Sequence, residues 1–166
     1  MSARPPPAAA APAIRRAGPD DLGDVARLWA ALAAHHAALD PHFRLRDDAA
    51  PALRELLRAQ LRDPDVLALL AVDAAGDAVG LLLARVDAAP PVLRECARAE
   101  ILDLWVEPAG RGRGHGRALA RAALAWIAER GATRTEVRVA ARNDAGRAFW
   151  RALGFAPFVD VLDLRR

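Results

Sequence analysis

An apolar strand running through Asp103-Leu104-Trp105-Val106 meets Pro108, which cannot continue a sheet ladder. It gives way to Gly110, Gly112, Gly114 and Gly116 interleaved with arginine. A helical pattern follows: Leu119, Ala122, Ala123, Trp126 and Ile127 recur at the spacing of one helix face, and Gly131 is placed to end it. This order demands a strand joined to a helix N-terminus through a glycine loop. Free amides and the positive end of the helix dipole then converge on the loop and make it an anion site. Arg111, Arg113 and Arg117 add fixed charge suited to phosphate.

The kind of anion is narrowed by what the loop lacks. A Walker loop needs Gly-Lys-Ser/Thr, and the chain contains no lysine. The dinucleotide fingerprint G-x-G-x-x-G fails because Arg117 stands where its third glycine is needed. What remains is Arg111-x-x-Gly114-x-Gly116 after a strand ending Val106-Glu107-Pro108. This resembles the R/Q-x-x-G-x-G/A pyrophosphate-binding motif of the GNAT N-acetyltransferase superfamily. The resemblance implies acetyl-CoA as cosubstrate, bound by Arg111, Gly112, Arg113, Gly114, His115, Gly116 and Arg117.

Composition bounds the alternatives. At 166 residues the chain is long enough for a real core in one domain, though its 54% apolar fraction is carried largely by alanine. The formal charge of +3 is mild, and aromatic residues do not interleave with the arginines, which argues against a nucleic-acid binder. A single cysteine, Cys96, excludes an internal disulfide framework. No apolar run approaches the roughly 20 residues that span a bilayer, and no signal core opens the chain, so a cytoplasmic location without membrane partners is the expectation.

Taken in order, the Pro/Ala-rich residues 1–12 read as a disordered tail, and 13–166 as the folded domain. Ala13 to Arg16 suggests a first strand. Pro19, Asp20 and Asp21 then open a helix with the stripe Leu22, Val25, Leu28, Trp29 and Leu32, which Asp40-Pro41 stops. A second helix spans about Asp48 to Arg62, with Leu53, Leu56, Leu57 and Leu61 inward. Val66 to Asp73 and Val79 to Val86 read as a hairpin, and Glu100 to Val106 as the strand paired with it. After the central helix come a strand at Thr135 to Val139 and a helix capped by Asn143-Asp144 and ended by Gly154. A closing strand is expected at Phe158 to Leu164. The order βααβββαβαβ is also that of the GNAT fold: an α/β (α+β) architecture with a mixed, twisted, mostly antiparallel sheet and helices on both faces. The resemblance extends over about 13–166 and is sharpest over 99–155.

A second segment supports it. GNAT proteins usually carry an asparagine, a tyrosine seven residues on, then Gly-Phe; here stand Asn143, Trp150 and Gly154-Phe155. The resemblance gives Asn143 to the pantetheine arm, while its position equally suits a helix N-cap. Phe149 is placed beside the cofactor. Trp150 stands where the family's tyrosine often protonates the leaving thiolate. Indole lacks that acidity, and the chain has no tyrosine. Trp150 therefore walls the thioester pocket, donates a hydrogen bond to the sulfur, or packs helix against sheet. The thiolate leaves unaided or with water's help, as its pKa near 8.5 permits.

The resemblance implies direct transfer from the thioester to an amine of a small molecule or peptide. Pantetheine then lies against Leu104, Trp105 and Val106 like an added strand, with the Val106 N–H on the thioester carbonyl. No covalent enzyme intermediate is expected, because Ser2 lies in the tail and Cys96 has no activating partner in sequence. Asp103 is the first candidate to take the amine's proton and Glu100 the second. The alternative for Asp103 is a strand-end carboxylate paired with arginine. Alternation puts 101, 103 and 105 on the face opposite 100, 102 and 104 unless a bulge intervenes. His35, His36, Asp40 and His42 show no metal-ligand pattern, so no metal is expected; the family uses this helix link to line the acceptor site. Family habit also implies a homodimer, through the 87–98 connection or the last strand. The competing function is a non-catalytic acyl-CoA-binding or sensing domain.

Overall fold

The computed structural model describes residues 12–164 except 91, 93, 95 and 96. The expected tail, Pro12 apart, and Cys96 therefore lie outside the described residues. The elements are β1 (Ala13–Arg16), α1 (Leu22–Leu39), α2 (Ala49–Arg62), β2 (Val66–Val72), β3 (Ala78–Ala88), β4 (Ala97–Val106), α3 (His115–Glu129), β5 (Arg134–Val137) and α4 (Asp144–Arg151). Short 3-10 turns at Pro19–Asp21, Pro41–Phe43 and Pro108–Gly110 each begin on proline, whose fixed φ suits a first helical position.

The sheet runs β1-β2-β3-β4-β5, antiparallel up to β4, with β5 joining β4 in parallel. The parallel pair is linked through α3, as a parallel crossover requires. Two apolar layers flank the sheet. On one face α1 and α2 bury Leu28 and Leu57 against Leu70, Leu81 and Leu83. On the other, α3 and α4 bury Leu119, Ile127 and Trp150 against Leu82, Ala84 and Ile101. Each fully buried leucine stabilises the fold by roughly 1.5–3 kcal/mol. β2 and β3 are buried on both faces, so they read as continuous runs of leucine, valine and alanine.

Two expectations are corrected. Leu56 lies 52% exposed, because the apolar face of α2 is narrower than its leucines suggested. The strand expected at Phe158 to Leu164 does not form: residues 155–164 take no regular structure. Pro157 lacks an amide for a ladder, and Phe158, Val159, Val161, Leu162 and Leu164 are exposed, so the apolar residues there bury no face. Phe158 instead lies under the Arg134 guanidinium, 4.7 Å from its ring centre.

The feature that positions the site is a bulge in β4. Leu83 pairs with Asp103 while Ala84 pairs with Ile101, leaving Leu102 as the extra residue. The bulge reverses the alternation: Ile101 joins the α3 layer, whereas Trp105 joins the α1 layer. Paired residues of an antiparallel ladder share a face. Glu100, opposite Arg85, and Asp103, opposite Leu83, therefore both face α1. The bulge admitted in the sequence reading is real, and it removes the expected separation of Glu100 from Asp103.

Candidate active site

β4 and β5 pair only from Arg98 with Arg134 to Ile101 with Val137. Beyond the bulge they part, and a cleft of about 470 Å3 opens between them. Leu102 to Val106 form one wall, Val137 to Val139 the other, and Asn143, Gly146, Phe149 and Trp150 of the α4 region the back. The open edge of β4 carries backbone groups that have no strand partner among the described residues. Glu107 N–H bonds back to Val79 O of β3 at 2.9 Å, so alternation along the strand turns the Val106 amide and carbonyl toward the cleft.

The floor is the glycine loop. Gly112 and Gly114 have φ of 73° and 85°, the left-handed region that glycine alone enters freely. Gly114 is the N-cap residue of α3, and Ala118 N–H closes the first helical bond on Gly114 O at 2.9 Å. The amides of His115, Gly116 and Arg117 are thus the unsatisfied first turn of a helix. A Cβ on Gly116 would sit 3.4 Å from the Phe149 ring, so the loop passes close against α4. His115 is 8% exposed, and its Nδ1 is buried without a protein partner.

Arg111 does not project freely. Its Nε donates to Val106 O at 3.0 Å, and its guanidinium lies 4.7 Å above the Trp105 ring. It braces the loop on the end of β4. A second brace comes from α1, where Arg27 pairs with Glu107 and donates to Ala78 O at 2.6 Å.

On the α1 side of β4, Asp103 faces the cleft and accepts from Trp29 Nε1 at 3.2 Å. Burial pushes its carboxyl up to about 6; the Trp29 bond opposes this and the Glu100 charge adds to it. Such a group is ionised at neutral pH yet basic enough to take a proton. The nearby His36 is held below its ordinary value by burial and by His35. His35 packs on Trp105 with ring centres 5.4 Å apart, and His36 on Phe43 at 5.5 Å.

The family model of the acetyltransferase (GNAT) family matches residues 29–155, from Trp29 on α1 to Phe155 after α4. The chain belongs to the GNAT family. Mycothiol acetyltransferase of Beutenbergia cavernae is 40% identical to it over 95 residues, 57% of this chain and 30% of that protein. The chain thus spans under a third of that curated relative. Among solved structures, a tetramutant of the BH1408 protein from Bacillus halodurans superposes with a TM-score of 0.83 at 21% identity, covering 93% of this chain and 99% of that one. An aminoglycoside antibiotic 6'-N-acetyltransferase from Acinetobacter haemolyticus gives 0.73 at 21% identity, with 93% and 97% covered. These two likenesses concern the GNAT fold.

The expected GNAT positions largely converge. Asp103, Leu104, Trp105, Val106, Arg111, Gly112, Gly114, His115, Gly116, Arg117, Asn143, Phe149 and Trp150 all reach the cleft wall. Arg113 and Glu100 are not part of it; Glu100 is engaged by Arg138 Nε at 3.2 Å. Asn143 caps α4, accepting from Gly146 N–H at 2.9 Å, and also lines the cleft. Trp150 is 6% exposed and packs edge-on against Phe149 and Phe155, with ring centres at 5.0 and 5.1 Å. Asp103 is bonded to an indole rather than an arginine. The sequence reading missed Trp29 as a site residue, because it falls on the apolar stripe of α1. It also missed Phe43 and Leu45, which carry no periodic signal.

Proposed function

We propose that residues 13–166 form an N-acetyltransferase domain that moves the acetyl group of acetyl-CoA to a primary amine by direct attack, acting in the cytoplasm. The observation that carries this reading is the meeting of three features in one cleft: an unsatisfied helix N-terminus behind a left-handed glycine, an open strand edge, and a buried carboxylate. Among the described residues no helix is long and apolar enough to cross a membrane.

Three features of the cleft support acetyl-CoA as the cosubstrate. The amides at the start of α3, with Arg117, suit the pyrophosphate. A Cβ at Gly116 would touch the Phe149 ring, so glycine keeps this first turn of α3 open beside α4. The open edge of β4 suits the amide-bearing pantetheine arm as an added strand, with the Asn143 amide as a further partner. When bound, acetyl-CoA supplies an activated acyl group. The Val106 amide is suited to polarise its carbonyl.

Asp103 is the base. The amine nitrogen forms the bond to the acetyl carbon, the carbon–sulfur bond breaks, and the thiolate leaves with the bonding pair. The amine's proton passes to Asp103 Oδ and on to water. The Trp29 N–H fixes the orientation of the carboxylate. Glu100 raises the basicity of Asp103 by its charge. Trp150 has the surroundings of a packing residue, which leaves protonation of the thiolate to water. The test is thiol release from acetyl-CoA across a panel of amines: a transferase releases thiol only when its amine is present, whereas a sensing domain binds acetyl-CoA and releases none.

A further inference from the structure

A second hollow, about 210 Å3, opens on the α1 side of β4. It shares Leu32, His36 and Asp103 with the main cleft, so the two meet at the carboxylate. Trp29, Ala33, Phe43 and Leu45 complete its wall, and the last two stay 42% and 46% exposed although large and apolar. The hollow is smaller than the roughly 300–1,000 Å3 of a drug-sized pocket, and so takes a single ring system.

Its charges decide the occupant. Asp103 is the one carboxylate among the described lining residues of either cavity. Glu100 faces the same side but is engaged by Arg138, and the Arg111 guanidinium covers the Trp105 ring. A polycation such as an aminoglycoside or a polyamine would bring several ammonium groups to one carboxylate beside a fixed cation. Each ammonium left unpaired and desolvated opposes binding. A single ammonium on an apolar ring satisfies Asp103 and covers the exposed aromatic wall.

We propose that the acceptor is an arylalkylamine: a singly charged primary amine whose ring lies against Trp29, Phe43 and Leu45 with its nitrogen at Asp103. This rests on the acetyltransferase reading above. The ammonium nitrogen gives one proton to Asp103 and bonds to the acetyl carbon of acetyl-CoA; the carbon–sulfur bond breaks with its pair on sulfur, and the nitrogen's second proton passes through water to that thiolate. The product is a neutral amide, which no longer pairs with the carboxylate and so leaves the hollow.

The experiment is thiol release by the full chain with acetyl-CoA against 2-phenylethylamine, tryptamine, tobramycin, spermidine and a short peptide. Acetyl-CoA binding is measured separately by calorimetry. The expected result is a kcat/KM at least tenfold higher for an arylalkylamine than for the other three. Phe43→Ala, at a surface-lying side chain, raises KM for that amine about tenfold and leaves acetyl-CoA affinity unchanged; Leu45→Ser gives a second reading at the same wall. Preference for tobramycin, spermidine or the peptide overturns the acceptor class and leaves the transferase reading standing. Acetyl-CoA binding without turnover of either arylalkylamine also overturns it. Failure to bind acetyl-CoA overturns the transferase reading and the acceptor class with it.

Discussion

Trp29 donates its indole N–H to Asp103 Oδ2 across 3.2 Å, from the middle of α1 to the stretch of β4 that β5 leaves open. The bond holds a carboxylate that burial has made basic, with its pKa raised to about 6. Asp103 accepts a proton only when ionised, so kcat/KM rises with pH through about 6. Asp103→Asn removes that limb and lowers turnover about 100-fold, a magnitude typical of general-base loss, while acetyl-CoA affinity changes little. Raising pH partly restores the variant by freeing the amine. Turnover equal to wild type in Asp103→Asn, measured with the true acceptor, would rule the role out.

The same carboxylate destabilises the fold when charged. Its folded pKa is raised, so its contribution is most favourable below the unfolded value near 3.9 and is lost as pH climbs through about 6. Asn keeps an acceptor for Trp29 and never ionises. The rise from 3.8 to about 6 converts to roughly 3 kcal/mol at most, which is the advantage Asp103→Asn gains at pH 8 and lacks at pH 4. Urea midpoints of both proteins at the two pH values check this; an equal gap at both would contradict it.

Trp150 stands where the family's tyrosine is often the acid, yet it is buried between Phe149 and Phe155. Trp150→Tyr is expected to change turnover only slightly. Trp150→Ala loses about 3–5 kcal/mol of packing and slows the enzyme by loosening the cleft. A gain of tenfold or more in Trp150→Tyr, about 1.4 kcal/mol of barrier, would show that an acid is missing.

Gly146→Ala tests the double role of Asn143. Alanine in a helix is ordinarily better than glycine by roughly 0.5–1 kcal/mol. Here its Cβ would fall 2.6 Å from Asn143 Nδ2 and push the amide off its cap. The expected outcome is a loss of about 1 kcal/mol, the worth of an N-cap, with weaker acetyl-CoA binding. A stabilised variant with unchanged affinity would show that Asn143 serves neither role.

Local rules carried most of the fold into the sequence. Pro108, Gly114, Gly131 and Gly154 mark their boundaries by backbone chemistry: the three glycines have φ of 85°, 75° and 94°. The apolar stripes of α1 and α3 mark their buried faces. Non-local facts were not legible. The bulge at Leu102 depends on how β4 meets β3, and nothing in Ile101-Leu102-Asp103 announces it. The segment from Phe158 to Leu164 is rich in strand-forming residues, but composition supplies no neighbour to pair with. Trp29 reads as core because its ring is partly buried, while its N–H serves the site.

Calorimetric titration of acetyl-CoA into the wild-type chain and into Gly114→Val asks whether the loop at the start of α3 binds the cosubstrate. Valine at Gly114 must adopt a φ of 85° that branched residues avoid, and its side chain would stand beside the backbone proposed to receive the pyrophosphate. The expected result is one acetyl-CoA per wild-type chain, and binding at least tenfold weaker in a Gly114→Val protein that circular dichroism shows to be folded. No binding by the wild type, or equal affinity in the folded variant, would contradict the assignment.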